Sequence, residues 1–269
     1  MKIIPRKRAA KGGDGIHLGG GRGFSLDFYG HSAYTPGEDI RKIDWKAYAR
    51  TGNLYLKDFT EERQINVGVL LDRSASMDFG RPGKWEFAAK LALGLSYLAL
   101  KQGDRLSFLT VSDGFEALKE NASGMDHFYD LLKAVPRLRP GGATVQDAFT
   151  GALGCVSGIT FILSDLFNAG PEKILDYLCL RGRQAVFVHI LSPDELAPPG
   201  GGELKLVDAE TGRVKRIHLS TAARRQYAAK VKGFLMHARE MCSRRGGAYV
   251  FARTDEAPSA VLKRALEVC

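Results

Sequence analysis

The 269-residue sequence is short of the features that mark several large classes of protein. No uncharged apolar run approaches the ~18–20 residues needed to cross a bilayer, and the longest, Leu91 to Leu100, is about half of that. The first twenty residues mix basic side chains with glycines and have no apolar stretch of the kind a secretion signal needs, so a cytoplasmic location is expected. Cys155, Cys179, Cys242 and Cys269 are widely spaced, with no CxxC pair and no histidine at ligand spacing, which leaves zinc and redox motifs unsupported. They read as reduced thiols. There is no G-x-x-x-x-G-K-[ST] or G-x-G-x-x-G run, so the chain brings no nucleotide-phosphate loop of its own. H-E-x-x-H and G-x-S-x-G are also missing, which removes the common zinc-protease and serine-hydrolase signatures.

What is present is a large apolar fraction, 45%, enough for one or two domains with a substantial core. The formal charge of +9 is concentrated at one end. Lys2, Arg6, Lys7, Arg8 and Lys11 face no acid within residues 1–13, and without them the excess is only +4. A short solvated basic terminus accounts for this better than a nucleic-acid or lipid site. Arg224-Arg225 and Arg244-Arg245 fall near the ends of an expected helix, and no aromatic-basic interleaving of an RNA-binding sheet accompanies them.

Residues 1–23 form a basic, glycine-rich lead-in, and residues 24–64 mix aromatics, turn residues and charges without clean periodicity. From Ile65 the pattern alternates. Strands are expected at Ile65–Leu71, Leu106–Val111, Phe115–Leu118, Ile159–Leu163, Ala185–Leu191 and Tyr249–Ala252. Between and after them the spacing predicts helices at Lys84–Lys101, Met125–Val135, Val145 to about Cys155, Glu172–Leu180, Thr221–Arg245 and Ser259–Glu267. Leu204–Asp208 and Arg213–Leu219 flank Glu210-Thr211-Gly212 as a β-hairpin insertion at about residues 203–219. This alternation predicts an α/β fold over residues 65–269, a doubly wound, mostly parallel sheet with helices on both faces.

The most informative stretch is Asp72-Arg73-Ser74-Ala75-Ser76-Met77, where an apolar strand runs straight into a D-x-S-x-S loop. In open α/β sheets ligands bind beyond the carboxyl ends of strands, so this loop lies on the functional edge. One carboxylate and two hydroxyls at alternate positions are hard oxygen donors of low formal charge, suited to Mg²⁺ or Mn²⁺. Gly141-Gly142-Ala143-Thr144 opens a helix with a further hydroxyl, and Leu163-Ser164-Asp165 ends a strand with a second carboxylate. Each element alone is an ordinary turn or cap; their order and placement together point to a metal.

These three elements resemble the metal-ion-dependent adhesion site (MIDAS) of von Willebrand factor A (vWA) domains. The resemblance implies direct metal ligation by Ser74 and Ser76, ligation by Thr144 directly or through water, and roles partly through water for Asp72 and Asp165. It also implies a coordination position that a carboxylate from a partner protein fills. The run from Tyr34 to Thr51, YTPGEDIRKIDWKAYART, is similar to the hallmark of a bacterial family of unknown function, DUF58, and the similarity extends over roughly residues 24–269. Many members carry two membrane-spanning helices ahead of this segment, where this sequence has the lead-in. Relatives are typically encoded beside MoxR-type AAA+ ATPases, which implies a chaperone-like pair acting in assembly or cofactor insertion, with the nucleotide chemistry supplied by the partner. The resemblance thus implies a magnesium-dependent protein-protein interaction module without catalytic activity of its own. The alternative is a metal-assisted hydrolase or phosphatase with Asp72 as nucleophile and His189 as the best candidate base.

Within residues 24–64, which are expected to pack on the main domain, Asp39, Arg41, Asp44, Trp45 and Arg50 suggest a buried ion-pair network or an exposed docking face. The buried network is the stronger expectation, with Trp45 and Tyr48 as packing residues.

Overall fold

The computed structural model describes Ile3 and residues 26–61, 64–143, 146–167, 170–197, 202–207 and 212–269. It divides into two compact units, Lys11–Gln64 and, separately, Met1–Ala10 with Ile65–Cys269. Among the described residues no helix is long and apolar enough to cross a membrane.

The smaller unit is an antiparallel pair, β1 (Leu26–Ala33) and β2 (Tyr55–Glu61), joined by a 3-10 turn at Ile40–Lys42 and a two-turn helix, α1 (Trp45–Thr51). Asp44 starts α1. Its Oδ1 accepts from the amides of Lys46 and Ala47 at 3.0 and 3.2 Å, which satisfies two of the donors a helix leaves open. Its Oδ2 lies 2.7 Å from His31 Nε2, and that hydrogen bond is the main reason the carboxyl titrates as low as about 2. Gly52 stops the helix in the left-handed region that a side chain disfavours. The expected buried network is not what forms. Of its five residues only Asp44 is buried, while Trp45 is 62% exposed and meets the half-exposed Tyr48 edge to face. A lone hairpin has one face to cover, and Ala47 is the residue of α1 that is buried there.

In the larger unit the order is β3 (Asn66–Asp72), α2 (Lys84–Lys101), β4 (Arg105–Val111), β5 (Phe115–Ala122), α3 (Met125–Ala134), α4 (Gln146–Ala152), β6 (Ile159–Ser164) and α5 (Pro171–Leu180). It continues through β7 (Gln184–Leu191), α6 (Pro193–Leu196), β8 (Gly202–Val207), β9 (Val214–Leu219), α7 (Thr221–Arg244), β10 (Ala248–Arg253) and α8 (Pro258–Glu267). The expected α/β class is what the chain adopts. Six strands pair in the order β10-β7-β6-β3-β4-β5, all parallel except β5, which returns antiparallel along β4 as a hairpin with a three-residue turn. The hairpin insertion is present as β8 paired with β9; its turn residues 208–211 lie outside the described residues.

Burial on both faces explains why the central strands read as unbroken apolar runs. Successive side chains of β3 divide between two cores: Val67, Val69 and Leu71 join α2 and α8, whereas Leu70 joins α4, α5 and α7. Gly68 is required between them, because a Cβ there would stand 2.9 Å from the side chain of Val156. Ile3, the described residue of the lead-in, is buried in the first core, and its amide donates to Gln102 Oε1.

The topology places a crevice at one position. β3 continues through α2 to β4 on one side, and β6 continues through α5 to β7 on the other. The chain therefore diverges from two adjacent parallel strands in opposite directions, and the loops beyond their carboxyl ends part there.

Candidate metal centre

Asp72 is the last residue of β3 and Asp165 follows the last residue of β6, so the two carboxylates flank this crevice on neighbouring strands. Both are fully buried. Asp72 Oδ1 accepts from the amide of Ser74 at 2.9 Å, which turns the loop, and its Oδ2 accepts from Ser164 Oγ at 2.6 Å, which ties β3 to β6. That turn brings Ser74 Oγ to 3.0 Å from Ser76 Oγ. Two neighbouring ligands of an octahedral ion with bonds of about 2.1 Å are separated by about 3.0 Å, so the hydroxyl pair has the spacing of a Mg²⁺ edge.

The second loop is held to the first through its backbone. Gly141 N donates to Arg73 O and Ala75 N donates to Gly142 O, both at 2.9 Å. Thr144, the expected hydroxyl of this loop, lies outside the described residues. Gly142 has φ of +75°, and a Cβ on it would stand 3.2 Å from the carboxylate of Asp113. Gly142→Ala is therefore expected to cost about 1–2 kcal/mol through left-handed strain and crowding together. It should also weaken divalent-ion binding, because the strain falls on the clamp between the loops. Chemical denaturation and metal titration of the variant check this.

The electrostatics of the crevice are unusual. Burial, and after it the charge of Asp165, pushes the Asp72 carboxyl up to about 6. Asp165 is compensated by a group that sequence reasoning did not single out. Lys84, at the first position of α2 and 1% exposed, donates from Nζ to Asp165 Oδ2 at 2.7 Å and to Glu195 Oε1. Its ammonium also lies 5.9 and 5.8 Å from the ring centres of Phe79 and Phe167. A lysine at the first position of a helix opposes the helix dipole, which favours anions at that end. That mismatch is the signal that could have marked it. Glu195 in turn completes a capping box with Ser192 on α6, legible as S-x-x-E, and Tyr227 of α7 donates to its backbone oxygen at 2.7 Å.

His189, the candidate base, lies beside Ser164 in the strand register but is fully buried and bonded through Nδ1 to the Tyr249 hydroxyl at 2.8 Å. Burial lowers its pKa to about 4, leaving the ring neutral. Phe79, Phe115 and Phe167 are exposed. Phe79 and Phe167 follow the carboxyl ends of β3 and β6, whereas Phe115 opens the edge strand β5.

The family described as "Protein of unknown function DUF58" matches residues 31–234. An uncharacterized protein of Mycobacterium tuberculosis and its counterpart in Mycobacterium bovis are 26% identical over 205 residues, 72% of this chain. The chain spans 64% of the length of these relatives. Among solved structures, an aerotolerance-related membrane protein from Bacteroides fragilis shares the fold at 16% identity and a TM-score of 0.51, over 76% of this chain and 98% of that one. A von Willebrand factor type A protein from Catenulispora acidiphila is similar at 14% identity and a TM-score of 0.44, over 78% and 43% of the two chains.

Proposed function

The chain belongs to the DUF58 family, and from this premise we propose that it is a vWA-like, metal-dependent protein-protein interaction module that captures a partner carboxylate. The observation that carries the reading is the 3.0 Å hydroxyl pair of Ser74 and Ser76 beside Asp72, with Asp165 on the same sheet edge. Asp72, Asp165 and Glu195 against Lys84 carry a formal charge of minus two, which a divalent cation cancels. Ser74 and Ser76 would hold Mg²⁺ or Mn²⁺, with Asp72, Asp165 and Thr144 completing the set. When bound, the ion supplies an electrophilic centre for an incoming aspartate or glutamate.

The exposed rings of Phe79 and Phe167, centred 5.9 and 5.8 Å from the Lys84 ammonium, give the residues flanking that carboxylate an apolar surface to cover. A MoxR-type AAA+ ATPase is the partner we assign, in chaperone-like assembly or cofactor insertion. This chain has no phosphate loop, so nucleotide hydrolysis falls to the partner. None of the four cysteines is in a disulfide, which suits a cytoplasmic setting. A non-catalytic role fits His189: a neutral, buried ring bonded to Tyr249 is a structural group rather than a base for metal-assisted hydrolysis.

Titration calorimetry with Mg²⁺ and Mn²⁺ tests the reading. Ser76→Ala should weaken binding at least tenfold with little change in melting temperature, because the hydroxyl sits in a loop outside both cores. Metal-dependent association with an acidic peptide or the ATPase should be lost in the same variant. Equal metal affinity in the variant and the wild type would sink the assignment.

A further inference from the structure

The ammonium of Lys84 sits where a metal site of this kind has no need of a second cation. It is buried at the amino end of α2, bonded to Asp165 Oδ2 at 2.7 Å, and Asp165 also flanks the proposed metal position. The hydrogen bonds of its other anchor, Glu195, run to Lys84 and to Ser192, which fixes it in the capping box of α6. A fully buried lysine is rare unless it is paired, and this one is paired twice. The arrangement is a counter-ion built into the chain and held against one of the two crevice carboxylates.

We propose that Lys84 is an internal competitor of the divalent cation: its ammonium neutralises Asp165 from within and thereby sets the metal affinity of the crevice. The inference rests on the metal reading of the site and adds the residue that tunes it. Lys84 has two effects of the same sign on affinity. Its charge repels a second cation at short range in a poorly screened interior. Its hydrogen bond also occupies one oxygen of Asp165, which leaves Oδ1, already accepting from the amide of Phe167 at 3.1 Å, as the oxygen not bonded to the ammonium. A weakened protein donor set leaves the ion short of negative charge, and a partner carboxylate then gains more from binding to it. Metal occupancy is also linked to α6 and α7, because Glu195 holds Lys84 with its side chain and Tyr227 with its backbone oxygen.

The test is calorimetric titration of Mg²⁺ and Mn²⁺ into the full chain carrying Lys84→Met, Lys84→Arg or Glu195→Gln, with the melting temperature of each measured with and without metal. Lys84→Met should bind metal about tenfold or more tighter than the wild type and gain more thermal stability from it. Lys84→Arg keeps the charge and should stay near the wild type. Glu195→Gln removes an anion outside the donor set and should weaken metal binding several-fold. Unchanged or weaker binding in Lys84→Met overturns the inference while leaving the metal reading intact. If that variant does not fold, unchanged affinity in Glu195→Gln overturns it. Binding by Lys84→Met but not by the wild type supports the inference and overturns the metal reading of the native chain; no binding by any of them overturns both.

Discussion

Asp72→Asn is expected to abolish divalent-cation binding and, in the same variant, to raise the stability of the metal-free protein at pH 7. The carboxyl is fully buried and titrates near 6 in the fold against 3.8 in an open chain. The unfolded chain therefore releases this proton first, and the folded state is progressively penalised as the pH rises from about 4 to about 6. Above that window the full cost, about 3 kcal/mol at most, is present. An amide keeps the acceptor for the Ser74 amide, and its NH₂ can donate to Ser164 Oγ, so the loop retains its hydrogen bonds. The net gain should be about 1–3 kcal/mol, or roughly 5 °C in melting temperature for a domain of this size.

His189 works in the opposite direction over nearly the same range. Its folded pKa of about 4 lies below the ordinary 6.5, so the unfolded chain takes up the proton first. Stability is complete above about 6.5 and falls by about 3 kcal/mol as the pH drops to 4. In metal-free wild type the two groups offset each other and this part of the profile is nearly flat. In Asp72→Asn only the histidine contribution remains, and stability should fall steadily on acidification. Urea denaturation from pH 4 to 8 in chelator and in Mg²⁺ measures both; a variant less stable than wild type at pH 7 in chelator contradicts the account. Natural retention of a destabilising aspartate is what a ligand site requires, since its charge is compensated only when the ion is bound.

Lys84→Met should have the largest effect on the metal-free fold. Methionine occupies nearly the same space as the lysine stem and suits the neighbouring rings of Phe79 and Phe167. The loss is therefore electrostatic: Asp165, fully buried, and Glu195, 15% exposed at its side chain, are left without their shared cation. Breaking a buried ion pair by deleting one partner costs about 3–5 kcal/mol. Adding Glu195→Gln to Lys84→Met should restore part of it, because one of the two stranded charges is gone. Denaturation of the single and double variants in chelator forms the cycle. A loss below about 1 kcal/mol would place this triad with ordinary surface ion pairs.

The apolar strands, the long helix Lys84–Lys101, the hairpin insertion and the D-x-S-x-S loop were all legible because each is written in neighbouring residues. Asp72, Ser74 and Ser76 lie within five positions, and one turn of backbone brings them together. Pro193–Leu196 was missed as a helix although its capping box is local; four residues are too few to show a period. The exposure of Trp45 and Tyr48 was misjudged for another reason. Residue type says what a side chain would gain from burial, and only the number of elements around it says whether a covering surface exists.

The sequence by itself determined the α/β class, the strand-end position of both aspartates and the identity of the hydroxyl pair, because periodicity and turn chemistry act over a few residues. Only the tertiary structure decided that β6 lies beside β3, that Ser164 bonds to Asp72 across 92 positions, and that Lys84 reaches Asp165 and Glu195 across 81 and 111. Alternation of apolar residues dictates that a strand is buried and leaves its neighbours unnamed. Strand order is settled by how the helices cover two faces at once, and the pairing of buried charges follows from that order.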